Sequence, residues 1–159
     1  DGVLTSGKIN YSSKGEQSKE FDVKDGLGIK MLQRFGIEVC LISGGDAGAS
    51  KFRAEKLNIN NYFFNVKDKL FILNSIQKKL KISKKETLFL GDDINDQVVK
   101  SNVNLLVSTK DGSLSFRRKS DLILNSKGGF GAVRELAEKI LSGKNLLENL
   151  VKNGWRDIN

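Results

Sequence analysis

Residues 87–96 read TLFLGDDIND, and this stretch decides which fold the sequence favours. Its first four residues form a short apolar run, which is typical of a buried strand in a parallel sheet. Three carboxylates follow the run directly, on Asp92, Asp93 and Asp96. Ligands of open α/β sheets bind just outside the carboxyl ends of the strands, and carboxylate oxygens suit a hard cation such as Mg²⁺. The stretch therefore predicts a metal site at a strand end.

A second interpretation of the same acids is purely structural. Asp93 can cap the helix that follows, and Asp96 then occupies the third helical position of a capping box. Short acidic motifs match by chance often, so these residues alone leave both interpretations open.

Composition limits the available chemistry. A chain of 159 residues suits one domain, residues 1–159, with a real core. The absence of histidine excludes serine and cysteine catalysis assisted by histidine, and also histidine-ligated zinc. The single cysteine, Cys40, lies in an apolar run and excludes a disulfide scaffold. Carboxylates, lysines, hydroxyls and a hard metal remain.

The formal net charge of +8 raises the question of a nucleic-acid partner. We expect none, because the lysines are scattered and few aromatic residues stand among them to stack on bases. A positive field also suits a small anionic substrate. No stretch is apolar enough to span a membrane and no signal peptide opens the sequence, so we expect a cytoplasmic protein with no membrane partner.

The first part of the chain predicts a β-hairpin over residues 8–23, with β-prone segments on either side of a turn at residues 12–15. An isolated hairpin is only marginally stable, so we expect this one to pack against another subunit. Asp25 is predicted to cap a helix that runs to about Phe35.

A run of β-branched and apolar residues at 37–42 predicts a second buried strand, followed by the sequence SGGD at residues 43–46. A hydroxyl and two glycines between a strand and a helix can bind an anion through bare backbone N–H groups. An ordinary strand-to-helix turn has the same composition, so both alternatives stay open here.

The remaining pattern alternates helices with short strands. Helices are predicted over residues 47–57, after residues 65–69, over residues 93–100 and after residues 128–131; strands are predicted over residues 62–64, 103–107 and 122–124. Such alternation predicts an α/β fold with a parallel sheet in three layers. The apolar tail is expected to pack on this subunit or on a neighbour.

Seven ordered segments carry a resemblance to a known family: DGVLTSG at 1–7, the hairpin, FDVKDGLGIK at 21–30, LISGG at 41–45, NVKDKL at 65–70, FLGDDIND at 89–96 and GGFGAVRE at 128–135. The chain resembles the haloacid dehalogenase (HAD) superfamily, and within it the small phosphatases that act on 3-deoxy-D-manno-octulosonate 8-phosphate and related sugar acid phosphates. The resemblance implies a three-layer, Rossmann-like parallel sheet with a hairpin flap and no cap domain.

The resemblance also implies roles for residues on the phosphate side of the site. Asp1 matches the general acid/base that protonates the leaving alcohol, and its backbone carbonyl matches a ligand of Mg²⁺. Ser43 and Gly44 match the hydroxyl and amide that hold a phosphoryl oxygen. Lys69 matches the lysine that balances charge on the nucleophile and the phosphoryl group.

On the metal side, the resemblance implies that Asp92 binds Mg²⁺ directly. Asp93 and Asp96 match residues that orient this ligand, the metal-bound waters and the lysine. Arg134 is a candidate for closing over the substrate.

Two departures from the family pattern shape the expectations. The family's nucleophilic aspartate would lie two residues before Asp1, together with a first strand, so we expect the sequence to be N-terminally incomplete and these 159 residues to be inactive as written. Gly45 also stands where the family often has an arginine, and the candidates to compensate are Arg134, Arg53 or a lysine of a neighbouring subunit.

The implied function is Mg²⁺-dependent hydrolysis of a 2-keto-3-deoxy sugar acid phosphate through an aspartyl-phosphate intermediate, on the path to surface polysaccharide. The first substrate candidate is 3-deoxy-D-manno-octulosonate 8-phosphate, and the alternative is a nonulosonate 9-phosphate. A further alternative is a catalytically silent assembly domain, like those associated with some acylneuraminate cytidylyltransferases. The resemblance implies a homotetramer in which hairpins pack at the centre and a tail closes the neighbouring site.

Overall fold

The structure, a computed structural model, describes residues 1–156 of the chain. Residues 157–159, the end of the predicted domain and tail, lie outside the described residues. The strands are β1 (Asn10–Tyr11), β2 (Gln17–Ser18), β3 (Cys40–Ile42), β4 (Asn61–Phe63), β5 (Leu88–Gly91), β6 (Leu105–Ser108) and β7 (Leu122–Ile123). The helices are α1 (Val23–Arg34), α2 (Gly48–Lys56), α3 (Lys69–Leu80), α4 (Leu114–Lys119), α5 (Ala132–Gly143) and α6 (Leu147–Asn153). Two 3₁₀ helices span Lys84–Glu86 and Ile94–Asn102.

The strands form two parallel ladders and one antiparallel hairpin. Strand β3 pairs with β4, and β5, β6 and β7 pair in that order, with Leu90 opposite Val107. Strands β1 and β2 form the predicted hairpin, although each is only two residues long. The α/β fold with parallel strands is confirmed. Where the sequence predicts one sheet, the strands between residues 1 and 156 form two ladders that are not hydrogen-bonded to each other.

The two ladders share a hydrophobic core on one face. Ile42 of β3 and Phe89 of β5 pack against one buried cluster, whose members come from α3, the long 3₁₀ helix, the segment after it, β6 and α4: Leu73, Val99, Val103, Leu106 and Phe116. Neighbouring residues of the same strands, such as Leu41 and Leu90, pack against clusters on the other side. Because successive residues of a strand point to opposite faces, the ladders lie between two helical layers.

Helices α1 and α5 pack closely on that second face. A Cβ placed on Gly28 of α1 would lie 2.8 Å from the Cα of Arg134 in α5, so only glycine permits this approach. The apolar tail was expected to pack on this subunit or on a neighbour, and within the described residues Leu147, Leu150 and Trp155 are partly buried against the cluster that contains Met31 and Leu141. The tail therefore packs on its own chain.

Several local predictions need correction. Asp22 caps α1 by accepting a hydrogen bond from the Lys24 amide, so the prediction that Asp25 is the cap is wrong. The predicted helix after residue 93 is a 3₁₀ helix, and the strand predicted over residues 37–42 covers only Cys40–Ile42. Helix α4 was not predicted, since its six residues bury only Phe116 and show no clear periodicity. In the part of the chain that is described, no helix has the length and apolar character needed to cross a membrane.

Candidate active site at the ends of β3 and β5

The loop after β5 holds its acids in a defined hydrogen-bonded turn. Asp96 Oδ2 accepts the backbone N–H of Asp92 at 3.0 Å and that of Asp93 at 3.4 Å, while Asp93 Oδ1 accepts the N–H of Ile94 at 2.7 Å. This is the predicted capping box. A Cβ on Gly91 would lie 2.5 Å from Asp96 Oδ2, so the turn requires glycine there. The structural interpretation is therefore confirmed for Asp93 and Asp96. The capping box does not use the side chain of Asp92.

Asp96 also forms an ion pair with Lys69, the first residue of α3. The side chains of Lys69 and Asp96 are only 12% and 3% exposed, so the pair is largely shielded from water. Asp68 fixes the start of α3 by accepting the N–H of Phe71 at 2.9 Å. Lys69 is thereby held at the acidic loop, where sequence analysis predicts it.

The Asp92 carboxylate lies against the beginning of the chain. A Cβ on Gly2 would lie 2.0 Å from Asp92 Oδ2, and Gly2 has a φ of +69°, so this contact requires glycine. Burial raises the pKa of Asp92 to about 6, and repulsion from Asp96 adds to the shift while Lys69 opposes it. A bound cation would favour the ionised carboxylate, because it would replace the hydration that burial removes and would offset the charge of Asp96.

The donor set fits Mg²⁺ better than a metal enclosed by protein ligands. Within residues 1–156, no three carboxylate, histidine or cysteine side chains are grouped so that they could hold a metal ion. Mg²⁺ is usually bound by one or two carboxylates, with waters and substrate phosphate completing its shell. Asp92 and the backbone carbonyl of Asp1 are the groups that would hold it.

The loop after β3 forms the second half of the site. Its backbone is pinned by the segment after β4, since the N–H of Val66 donates to the Ser43 carbonyl and the N–H of Asn65 donates to the Gly45 carbonyl, each at 3.0 Å. The N–H of Gly45 donates to Ser43 Oγ at 3.1 Å. Because Ser43 Oγ accepts there, its own O–H can donate to an anion. Gly44 lies between Ser43 and Gly45, and a Cβ there would lie 3.5 Å from the Val66 carbonyl oxygen, an ordinary van der Waals distance.

Asp1 joins the two halves. A Cβ on Gly45 would lie 2.4 Å from Asp1 Oδ2, and the next residue, Gly2, contacts Asp92. The glycine loop at residues 128–131 packs against the beginning of the chain. The N–H of Gly129 donates to the Val3 carbonyl at 2.8 Å, and a Cβ on Gly128 would lie 1.9 Å from the Gly2 carbonyl oxygen.

Arg134 is not brought together with these residues. Its Nε donates to Glu138 Oε1 at 2.7 Å, one turn further along α5. It lines a wide groove of about 750 Å³ between α5 and the segment before it, together with Lys24 and Phe130. Its suggested role in closing over a substrate stays a prediction.

Sequence analysis missed two residues that the fold places near the site. Lys19 forms an ion pair with Asp1 at 2.7 Å, and nothing distinguishes this lysine from its many neighbours in the sequence. Asp25 is buried and accepts the backbone N–H groups of Gly131 at 3.2 Å and Arg134 at 2.9 Å. It thereby anchors the start of α5 and the glycine loop before it. An acid directly before a glycine, in a segment predicted to be helical, gives no signal of this role.

No family model matches this chain. The chain is 33% identical over 144 residues to the 3-deoxy-D-manno-octulosonate 8-phosphate phosphatase KdsC of Haemophilus influenzae, and the match covers 91% of this chain and 80% of that protein.

Two solved structures are similar in both fold and sequence. One is the 3-deoxy-D-manno-octulosonate 8-phosphate phosphatase from Moraxella catarrhalis in complex with a magnesium ion, a phosphate ion and a KDO molecule, with a TM-score of 0.93, 34% identity, and coverage of 98% of this chain and 89% of that chain. The other is a HAD superfamily hydrolase from Legionella pneumophila, with a TM-score of 0.92, 32% identity, and coverage of 96% and 84% respectively.

Proposed function

Because this chain belongs to the 3-deoxy-D-manno-octulosonate 8-phosphate phosphatase family of the HAD superfamily, we propose that it is a Mg²⁺-dependent phosphomonoester hydrolase that releases phosphate from 3-deoxy-D-manno-octulosonate 8-phosphate. One observation carries the proposal. The partly buried carboxylate of Asp92 lies beside Gly2, while the carboxylate of the preceding residue, Asp1, lies beside the Ser43–Gly45 loop. A cation and a phosphate can therefore bind next to each other.

The metal side of the proposal rests on Asp92. Its carboxylate and the Asp1 carbonyl would hold Mg²⁺, with Asp96 and Asp93 fixing the turn that presents the ligand. Bound there, Mg²⁺ would neutralise charge on the phosphate group. The magnesium ion in the Moraxella catarrhalis structure supports this cofactor.

The phosphate side rests on Ser43, Gly44 and Lys69. The Ser43 hydroxyl and the Gly44 amide would donate to a phosphoryl oxygen, and Lys69 would balance the developing negative charge. Asp1 would protonate the leaving alcohol and then activate water. The nucleophile would be an aspartate two residues upstream of Asp1, which takes up the phosphoryl group as an aspartyl phosphate.

We also propose a homotetramer built on the hairpin. Residues of β1 and β2 are exposed, and Tyr11 is 63% exposed, so the hairpin offers a surface that a second subunit can bury. The expected compartment is the cytoplasm, because a phosphorylated sugar acid is too highly charged to cross a bilayer unaided. Light scattering on the purified protein tests the tetramer.

The function is tested on the protein that includes the coding sequence upstream of Asp1, because the nucleophile is expected there. Its phosphate release is measured from octulosonate 8-phosphate and from nonulosonate 9-phosphate, with Mg²⁺ and with a chelator. We expect metal-dependent release with preference for the eight-carbon substrate. Preference for the nine-carbon substrate would reassign the pathway, and no release from either would favour the assembly role. Reading the coding sequence upstream of Asp1 tests the nucleophile, since the proposal requires an aspartate two residues before it.

A further inference from the structure

Lys19 is an enclosed lysine on an otherwise exposed hairpin. It directly follows β2, and its side chain is only 3% exposed. Lysine is among the residues least often buried, and removing its charge from water is costly unless a partner compensates. A negatively charged or polar partner must therefore compensate the buried ammonium group.

The compensating partner is Asp1. Lys19 Nζ lies 2.7 Å from Asp1 Oδ1, and it also donates to Ser50 Oγ of α2 at 3.4 Å. Burial lowers the pKa of Lys19, and the nearby negative charge of Asp46 opposes this shift. The lysine thus links the hairpin, the Asp1 carboxylate and helix α2.

The second oxygen of the same carboxylate occupies space that only glycine leaves open. A Cβ on Gly45 would lie 2.4 Å from Asp1 Oδ2 and 3.5 Å from Ser43 Oγ. Lys19 on one oxygen and Gly45 beside the other therefore define a single orientation for a side chain that is 26% exposed and could otherwise rotate.

We propose that Lys19 is a positioning residue that holds the Asp1 carboxylate in its orientation beside Ser43 and Gly45. The inference rests on the proposed function, in which Asp1 protonates the leaving alcohol. A general acid must lie within hydrogen-bond reach of the oxygen it protonates, and small displacements of such a group reduce the rate strongly.

The test uses the variant Lys19→Met in the protein that includes the sequence upstream of Asp1. Methionine keeps the length of the side chain and removes its charge. Two substrates separate the possible roles, because p-nitrophenyl phosphate has a leaving group that departs without protonation whereas a sugar alcohol does not. We expect kcat/KM for octulosonate 8-phosphate to fall about tenfold to a hundredfold, in line with a general acid, and kcat/KM for p-nitrophenyl phosphate to fall less than about threefold. Lys14→Met, an exposed change in the same hairpin, is the matched control and is expected to leave both values unchanged.

The double variant with Asp1→Asn tests the coupling. If Lys19 acts through Asp1, adding Lys19→Met to Asp1→Asn produces no further loss, because residues that act as a unit are not additive. Equal losses on both substrates would show a merely structural role, and a raised KM with unchanged kcat would show direct substrate binding. Either result overturns the inference.

A crystal structure of Lys19→Met supplies a readout that does not depend on activity. We expect the Asp1 carboxylate to leave its position beside Gly45. A carboxylate that keeps this position overturns the inference even if the wild-type protein releases no phosphate, whereas an inactive wild-type protein by itself contradicts only the proposed function.

Discussion

The end of β5 and the end of β3 are built in opposite ways. At β5 the contacts are made by side chains. Asp96 accepts hydrogen bonds from two backbone amides and pairs with Lys69, while burial raises the pKa of Asp92 to about 6. At β3, the backbone does the work, since the Ser43–Gly45 loop presents amides and a hydroxyl and is pinned by hydrogen bonds from Asn65 and Val66.

In the proposed function, this difference lets the ends of two strands from separate ladders bind a cation and an anion side by side. Charged side chains create a cation site because their repulsion is relieved only by a positive ion. Backbone amides create an anion site without bringing in a net charge. Asp1 lies between the two, so the two halves are expected to respond differently to substitution.

The largest expected effect is at the cation half. Asp92→Asn keeps the side-chain shape and removes the charge, so metal-dependent phosphate release should fall about a thousandfold, which corresponds to several kcal/mol of lost stabilisation. Without metal, the variant should melt at the same temperature as the wild type or a few degrees higher, because it removes a carboxylate that the fold penalises. A variant that is both active and less stable would contradict this view of Asp92.

The next effect concerns stability. Lys69→Met leaves the Asp96 carboxylate buried without its ion partner, so the free energy of unfolding should fall by about 3 kcal/mol. Lys67→Met, an exposed change two residues away, should alter it by no more than about 0.5 kcal/mol. Urea denaturation of both variants measures the difference, and equal midpoints would mean that the ion pair does not stabilise the turn.

A smaller effect follows from pH. Mg²⁺ binds the ionised form of Asp92, so its affinity should decline as the pH falls below about 6, by up to tenfold per pH unit. The pKa of Asp92 in the folded state lies above its value in the unfolded chain, so the ionised carboxylate destabilises the metal-free fold. The free energy of unfolding should therefore decrease as the pH rises from about 4 to about 6. Calorimetric titration with Mg²⁺ at three pH values measures the first effect, and a flat affinity would contradict it.

The smallest effect is expected at the anion half. Gly45→Ala places a Cβ where Asp1 Oδ2 lies, but Lys19 still holds Asp1 Oδ1, so the carboxylate turns about this contact and is displaced less than in Lys19→Met. We therefore expect phosphate release to fall about threefold, in the range of a modest general-acid misplacement. Gly143→Ala, which meets no atom within 4 Å, is the control. A loss as large as that of Asp92→Asn would show that the two halves are equally rigid.

The sequence predicts well what depends on local patterns. The strand before Asp92, the turn that joins Asp93 to Asp96 and the placement of Lys69 at a helix start all follow from neighbouring residues. The exact strand ends and the short helix α4 do not, because a few residues carry too little periodicity to decide them.

Long-range pairing explains the remaining misses. Asp25 looks like a helix cap in the sequence, but its partners Gly131 and Arg134 lie more than a hundred residues later. Lys19 is one of 27 basic residues, and only the folded hairpin brings it to Asp1. A charged residue becomes buried when a distant partner compensates it, and single-sequence patterns do not contain that information.

Trp155 gives the protein a built-in optical reporter. It is the only tryptophan in the chain, it packs with the tail on α1 and α5, and the Arg34 guanidinium lies 3.6 Å from the centre of its ring. Its emission spectrum therefore reports on docking of the tail, whereas circular dichroism reports on all helices together. If the two signals change at different urea concentrations, the tail detaches as a separate step before the core unfolds.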